Sequence, residues 1–144
     1  MRPGCDLALL LGIAHVLIVE DLYDHEFVAR YATGFDELAQ AAAAWTPEWA
    51  ESMCDVPAAE IVATARDLAA AAPAAVVDAG FHGGIGIAYA NSTQTARAIC
   101  LVDVLLGCIG HAGGALNPPM PLVLGDLDPT RFATPLVPRG PKLG

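Results

Sequence analysis

The sequence predicts an α/β chain that is mostly helical, with one or a few short parallel strands and an irregular, proline-rich tail. Apolar segments of helical length recur between Asp6 and Ile109. The short apolar run from Ala74 to Val77 suits a buried strand, and a glycine-rich loop and a capped apolar helix follow it. Seven of the eleven prolines fall in residues 117–144, a density that favours extended, irregular chain. A domain over residues 1–116 and an extended segment over 117–144 are therefore expected.

Composition limits the classes of protein that fit. The 144 residues suffice for one domain, but 55% are apolar and only 16% charged, against typical values of about 45–50% and 25%. Too little polar material remains for a complete water-facing surface, so the chain is expected to pack against other structure. A net charge of −9 opposes binding to nucleic-acid phosphates or anionic lipid, and no nucleic-acid partner is predicted.

The first helix is predicted from Asp6, as N-cap, to about Glu20, and it is apolar on nearly every side. Such a helix must be enclosed by other elements. Its apolar core, Leu7 to Val19, is shorter than the roughly 20 residues that span a bilayer. Acidic residues follow where a secretory signal would carry small ones, so neither membrane insertion nor a cleaved signal is expected here.

Further helices are marked by their start and stop residues. They are a short helix capped by Asp24 and ended by Gly34, an alanine-rich helix over residues 35–44, a helix capped by Thr46, an amphipathic helix from Pro57 to Pro73, and an apolar helix that begins after Asn91 and runs to about Ile109.

Two features could bind a ligand. The loop that begins Gly80-Phe81-His82-Gly83 lies between a predicted strand and a helix, where backbone amides can approach phosphate, although a purely structural turn is an equal alternative. Its spacing matches neither a dinucleotide fingerprint nor a P-loop. Asp6 is a helix cap in one interpretation, and in the other its carboxylate accepts two hydrogen bonds from a guanine.

The remaining polar residues predict no catalytic centre. His15 is expected to be a hydrogen-bonded core residue, His25 solvated, and His82 the histidine best placed to meet a ligand. The cysteines, at positions 5, 54, 100 and 108, lack metal or redox spacing and are expected to be small buried residues.

Residues 2–10, RPGCDLALL, and 14–18, AHVLI, resemble a segment of the molybdopterin oxidoreductases of the dimethyl-sulfoxide-reductase class. LYDHEFV, TGF, WTPE and VPA follow in the order of that class. ANSTQTARAI at 90–99 and the double glycine at 113–114 look closest to the catalytic subunits of thiosulfate, polysulfide and tetrathionate reductases. The resemblance covers nearly the whole chain.

The resemblance implies a fragment of a Rossmann-like domain, residues 1–116, that helps hold a bis-molybdopterin guanine dinucleotide with molybdenum, followed by a connecting segment over 117–144. It implies guanosine contacts from Gly4, Cys5 and Asp6. It implies pterin contacts from the loop that follows the predicted strand. The residues of that loop are Ala79, Gly80, Phe81, His82 and Gly83. The metal ligand and the four-iron, four-sulfur cluster of such enzymes lie outside these residues.

The same resemblance implies three partners: the rest of the catalytic subunit, an iron–sulfur electron-transfer subunit and a membrane-anchor subunit. It also implies a location in the periplasm or on the outer membrane face, with the cytoplasm as the alternative.

This sequence departs from the family at several positions. Cys5 replaces threonine, Asp103 and Cys108 replace asparagines, and His111 replaces arginine. The alternative functions are a noncatalytic helical interaction module and a stand-alone nucleotide binder.

Overall fold

A computed structural model describes residues 1–78 and 90–115, and over these residues the chain is helical with connecting turns. The helices are α1 (Asp6–Val19), α2 (His25–Tyr31), α3 (Phe35–Ala42), α4 (Pro47–Cys54), α5 (Ala58–Ala71) and α6 (Ser92–Leu105). The mostly helical character is confirmed. In the described ranges none of these helices is long and apolar enough to cross a bilayer.

Helix α1 lies at the centre of the fold, as its apolar sequence predicts. Most of its circumference is buried, and it packs against α4, α5 and α6, with a smaller contact to α3. One face remains half-buried and carries Leu7, Leu11, His15 and Ile18. Gly12 allows this close approach, because a Cβ there would lie 2.8 Å from the Ala50 Cβ and 3.3 Å from Ile61 Cγ2. Six buried apolar residues of α1 contribute to the core: Ala8, Leu10, Ile13, Ala14, Val16 and Leu17.

Two predicted N-caps are confirmed. Asp24 Oδ1 accepts a 2.8 Å hydrogen bond from the Phe27 amide at the start of α2, and Thr46 Oγ1 accepts one of 3.2 Å from the Trp49 amide at the start of α4. The predicted role of Gly34 as the end of α2 is wrong. Helix α2 already ends at Tyr31, and Gly34, in the left-handed conformation, instead precedes α3.

Helix α6 ends at Leu105 and not near Ile109. Gly107 adopts a left-handed φ of 65° just after the helix. Its amide donates to the Val104 carbonyl at 3.1 Å, and the next amide, that of Cys108, donates to the Asp103 carbonyl at 3.0 Å. These two bonds form a Schellman motif, which satisfies the last carbonyls and turns the chain out of the helical path.

The prediction of a strand from Ala74 to Val77 is wrong, because these residues form irregular chain. Ala75 is buried, but Val76 is 48% exposed. The Val77 amide donates to the Asp103 side chain at 2.8 Å, and no strand lies beside it within residues 1–78 and 90–115. One backbone amide of this segment, that of Val77, is thus satisfied by a side chain of α6, and the Ala74 amide donates to the Ala71 carbonyl.

Arg66 on α5 links that helix to the end of α1. Its guanidinium donates from Nε and Nη2 to both carboxylate oxygens of Glu20, each at 2.8 Å. This hydrogen bonding lowers the pKa of Glu20. Because α1 has no basic residue in its last turn, Arg66 is the positive charge that balances a carboxylate at the negative end of the helix.

Candidate functional site

The turn before α1 is anchored to the end of α4 by Arg2. The Arg2 amide donates to the Cys54 carbonyl at 2.7 Å. The guanidinium donates from Nε and Nη2 to the two carboxylate oxygens of Asp55, at 3.1 and 2.9 Å. The pair is more than half exposed, so we expect it to orient the turn more than it stabilises the fold. Gly4, with a φ of 81°, then directs the chain into α1.

Asp6 does not cap α1, which corrects the capping interpretation of its carboxylate. Cys5 occupies the N-cap position and its side chain makes no capping bond, while its carbonyl accepts the Ala8 amide at 3.0 Å. Asp6 is the first helical residue and is half-buried. Within the described part of the chain no hydrogen bond occupies its carboxylate. Both oxygens can therefore accept N–H donors from a ligand, near the positive end of the helix.

The second predicted part of the site, Ala79 to Gly83, lies outside the described residues. The structure therefore does not test whether this loop approaches Asp6, and the juxtaposition stays a prediction. What the structure does show is the chain leading into the loop, which Asp103 holds through the Val77 amide.

An apolar groove of about 1100 Å³ lies between α1, α3 and α6, and the sequence did not predict it. Its apolar walls include Leu7, Leu11, Leu38, Trp45, Leu101 and Val104, and Arg97 is among its polar residues. Of the predicted site residues that are described, none lines this groove, although Leu7 directly follows Asp6. The sequence signal for it was the surplus of apolar residues. Such a surface can take up apolar side chains, and its lining also includes the titratable side chains of Tyr31 and Cys100.

The histidines and cysteines form no metal centre in the described residues. No group of three His, Cys, Asp or Glu side chains could hold a metal ion there. His15 is part-buried and its Nδ1 lies 2.8 Å from the Ala42 carbonyl oxygen, as expected of a core histidine. His25 is exposed beside Asp21. The expectation that the cysteines are buried is confirmed for Cys54 and Cys108, but it is wrong for Cys100, which is exposed, and for Cys5, which is half-buried.

Comparison with known proteins agrees with the resemblance seen in the sequence. No family model matches the chain. The molybdopterin-containing subunit PhsA of thiosulfate reductase from Salmonella typhimurium is 47% identical over 114 residues, which are 79% of this chain and 15% of that subunit. Formate dehydrogenase H from Escherichia coli is 34% identical over 119 residues, 82% of this chain and 16% of that enzyme.

Solved structures give the same relationship. Acetylene hydratase from Pelobacter acetylenicus superposes with a TM-score of 0.72 at 29% sequence identity, and the match covers 80% of this chain and 15% of that enzyme. The chain thus spans about one sixth of the length of the proteins it matches. Sequence and structure agree on the relationship: the chain is homologous to one segment of a thiosulfate reductase molybdopterin-containing subunit and of formate dehydrogenase H, and it shares the fold of one segment of acetylene hydratase.

Proposed function

We propose that this chain is a segment of the catalytic subunit of a molybdenum oxidoreductase, most similar to thiosulfate, polysulfide and tetrathionate reductases. Its role is to bind a molybdopterin guanine dinucleotide during the two-electron reduction of a sulfur or oxo-anion substrate. The 47% identity to the thiosulfate reductase subunit is the observation that carries this proposal.

The turn at Gly4, Cys5 and Asp6 is proposed to hold the guanosine end of the cofactor. Asp6 presents a half-buried carboxylate with no internal donor among the described residues, and guanine offers N–H donors that a carboxylate can accept in parallel. These residues therefore fit the group. Cys5 supplies a thiol, a weaker hydrogen-bond donor than the hydroxyl of threonine. When bound, the molybdenum–pterin group supplies the redox chemistry, and the chain supplies binding and orientation.

Further parts of the proposal concern the domain, the second cofactor contact, the partners and the location. We propose that residues 1–116 form part of a Rossmann-like domain, that residues 117–144 connect it onward, and that Ala79, Gly80, Phe81, His82 and Gly83 contact the pterin. An iron–sulfur cluster elsewhere in the subunit, an electron-transfer subunit and a membrane anchor are proposed partners. We propose a periplasmic or outer-face location, with the cytoplasm as the alternative.

A chimeric enzyme tests the proposal. The 114-residue stretch of the Salmonella subunit that matches this chain is replaced by the chain's own residues. Molybdenum content and the guanine nucleotide released by acid hydrolysis are then measured on the purified chimera. We expect both to be retained, and thiosulfate reduction with them. A folded chimera that contains no molybdenum would contradict the proposed function.

The guanine contact has its own variant and control. Asp6→Ala removes the acceptor, and we expect the released guanine nucleotide to fall about tenfold or more, because a hydrogen bond to a charged group contributes about 1.5–3 kcal/mol. Asp67→Ala removes an exposed carboxylate on α5 and serves as the matched control. Equal nucleotide contents in the two variants would show that Asp6 does not bind guanine.

A further inference from the structure

Asp103 is a buried carboxylate that forms no ion pair with any cation of residues 1–78 and 90–115. It lies on α6 with only 5% of its surface exposed. None of the ion pairs in the described residues includes it. Its hydrogen-bond partner is the backbone amide of Val77, which donates to Oδ1 at 2.8 Å. Burying an unpaired charge is costly, so such a group calls for an explanation.

The surroundings of Asp103 show that this contact joins two separate parts of the chain. The Asp103 carbonyl accepts the Cys108 amide in the turn that ends α6. The chain that follows this turn also packs on the chain before Val77: a Cβ on Gly113 would lie 3.1 Å from the Ala74 Cβ, and one on Gly114 would lie 2.7 Å from the Pro73 carbonyl oxygen. Residues 74–77 are therefore fixed between the last turn of α6 and the chain that follows it.

We propose that Asp103 is a positioning residue for cofactor binding. From α6 its carboxylate fixes residues 75–78, and so sets the point from which the chain enters the proposed pterin contacts at Ala79 to Gly83. This inference rests on the proposed function, because it gives Asp103 a role only if that loop binds the cofactor. The required property is a hydrogen-bond acceptor at Oδ1, which asparagine also provides.

The electrostatics of the site agree with a role beyond stability. Burial raises the pKa of Asp103, and the nearby carboxylate of Asp78 raises it further, while the bond from the Val77 amide lowers it. Burial also raises the pKa of Cys108, whose thiol therefore stays neutral beside Asp103. A carboxylate whose pKa is raised in the folded state reduces stability at neutral pH.

The test uses the chimeric enzyme with Asp103→Leu, Asp103→Asn and the exposed control Asp67→Leu. Hydrogen exchange is followed in the peptide that contains Val77, and molybdenum content and melting temperature are measured on the same samples. We expect Asp103→Leu to speed exchange at the Val77 amide about ten- to a hundredfold, as loss of a hydrogen bond to a charged acceptor predicts, and to lower molybdenum content severalfold. Asp103→Asn is expected to restore both values.

The outcomes separate this inference from the proposed function. A parent chimera that folds without molybdenum would refute the proposed function and this inference with it. If the parent carries molybdenum and Asp103→Leu carries the same amount, the positioning role is wrong, even if exchange at Val77 is faster. Loss of molybdenum in Asp103→Asn equal to that in Asp103→Leu would also overturn it. If the leucine variant does not accumulate, Asp103→Ala replaces it, with the same expectations.

Discussion

The contact between Gly107 and Asp24 allows a stability prediction to be worked from the structure. Gly107 has a φ of 65°, and a Cβ there would lie 2.5 Å from Asp24 Oδ2. The Asp24 side chain cannot move aside freely, because its Oδ1 caps α2 and its amide donates to the Leu105 carbonyl at 2.7 Å. For Gly107→Ala, left-handed strain of about 1–2 kcal/mol and a weakened cap of about 1 kcal/mol add to an expected loss of about 2–3 kcal/mol.

Urea unfolding followed by circular dichroism measures this loss as a change in the free energy of unfolding. Gly110→Ala is the matched control, because Gly110 has a φ of 85° but nothing within 4 Å of an added Cβ, so it incurs the strain alone. In a double-mutant cycle, Gly107→Ala should cost about 1 kcal/mol less when Asp24 is already alanine. Equal losses for Gly107→Ala and Gly110→Ala, with no coupling to Asp24, would refute the reasoning.

Two further predictions concern the core and its pH dependence. Ile61→Ala empties a fully buried position on α5 and should cost about 2–5 kcal/mol in the free energy of unfolding, whereas the exposed Thr64→Ala should change it by less than about 0.5 kcal/mol. Because burial and Asp78 raise the pKa of Asp103, the folded state binds more protons than the unfolded one between the two pKa values, so stability falls as pH rises through that window. Urea titrations over this pH range should therefore show that the free energy of unfolding of Asp103→Asn increases relative to that of the unsubstituted protein as pH rises. The Cys108 thiol stays neutral over this range, because burial raises its pKa. A difference between the two proteins that does not change with pH would contradict this reasoning.

Local sequence signals were sufficient to predict the structure where a single residue determines the backbone conformation. Asp24 and Thr46 each stand directly before a helix, and the structure shows both side chains accepting an amide of the first turn. The all-round apolar character of α1 likewise predicted its enclosure. In each of these cases the interaction is made within a few residues or by the whole surface of one helix, so no knowledge of distant contacts is needed.

One error occurred where a distant contact decides the backbone, and another where a local signal was overlooked. Ala74 to Val77 has the composition of a strand, but the Val77 amide donates to the side chain of Asp103, 26 residues away, and not to a neighbouring strand within the described residues. The end of α6 was predicted too late, although Gly107 is a residue type that favours the left-handed stop. The first error could not be avoided from local sequence, whereas the second could.

The two charged residues at the start of the chain have different roles: Arg2 orients the local structure, and Asp6 is proposed to bind the ligand. Arg2 donates from Nε and Nη2 to the Asp55 carboxylate, and among the ion pairs of the described residues none joins Arg2 to Asp6. Because Cys5 takes the cap position, the Asp6 carboxylate is also free of the first turn of α1. An N-capping aspartate would have used an oxygen on its own helix and left less for a ligand. The failure of the capping interpretation therefore strengthens the proposal that Asp6 accepts hydrogen bonds from guanine.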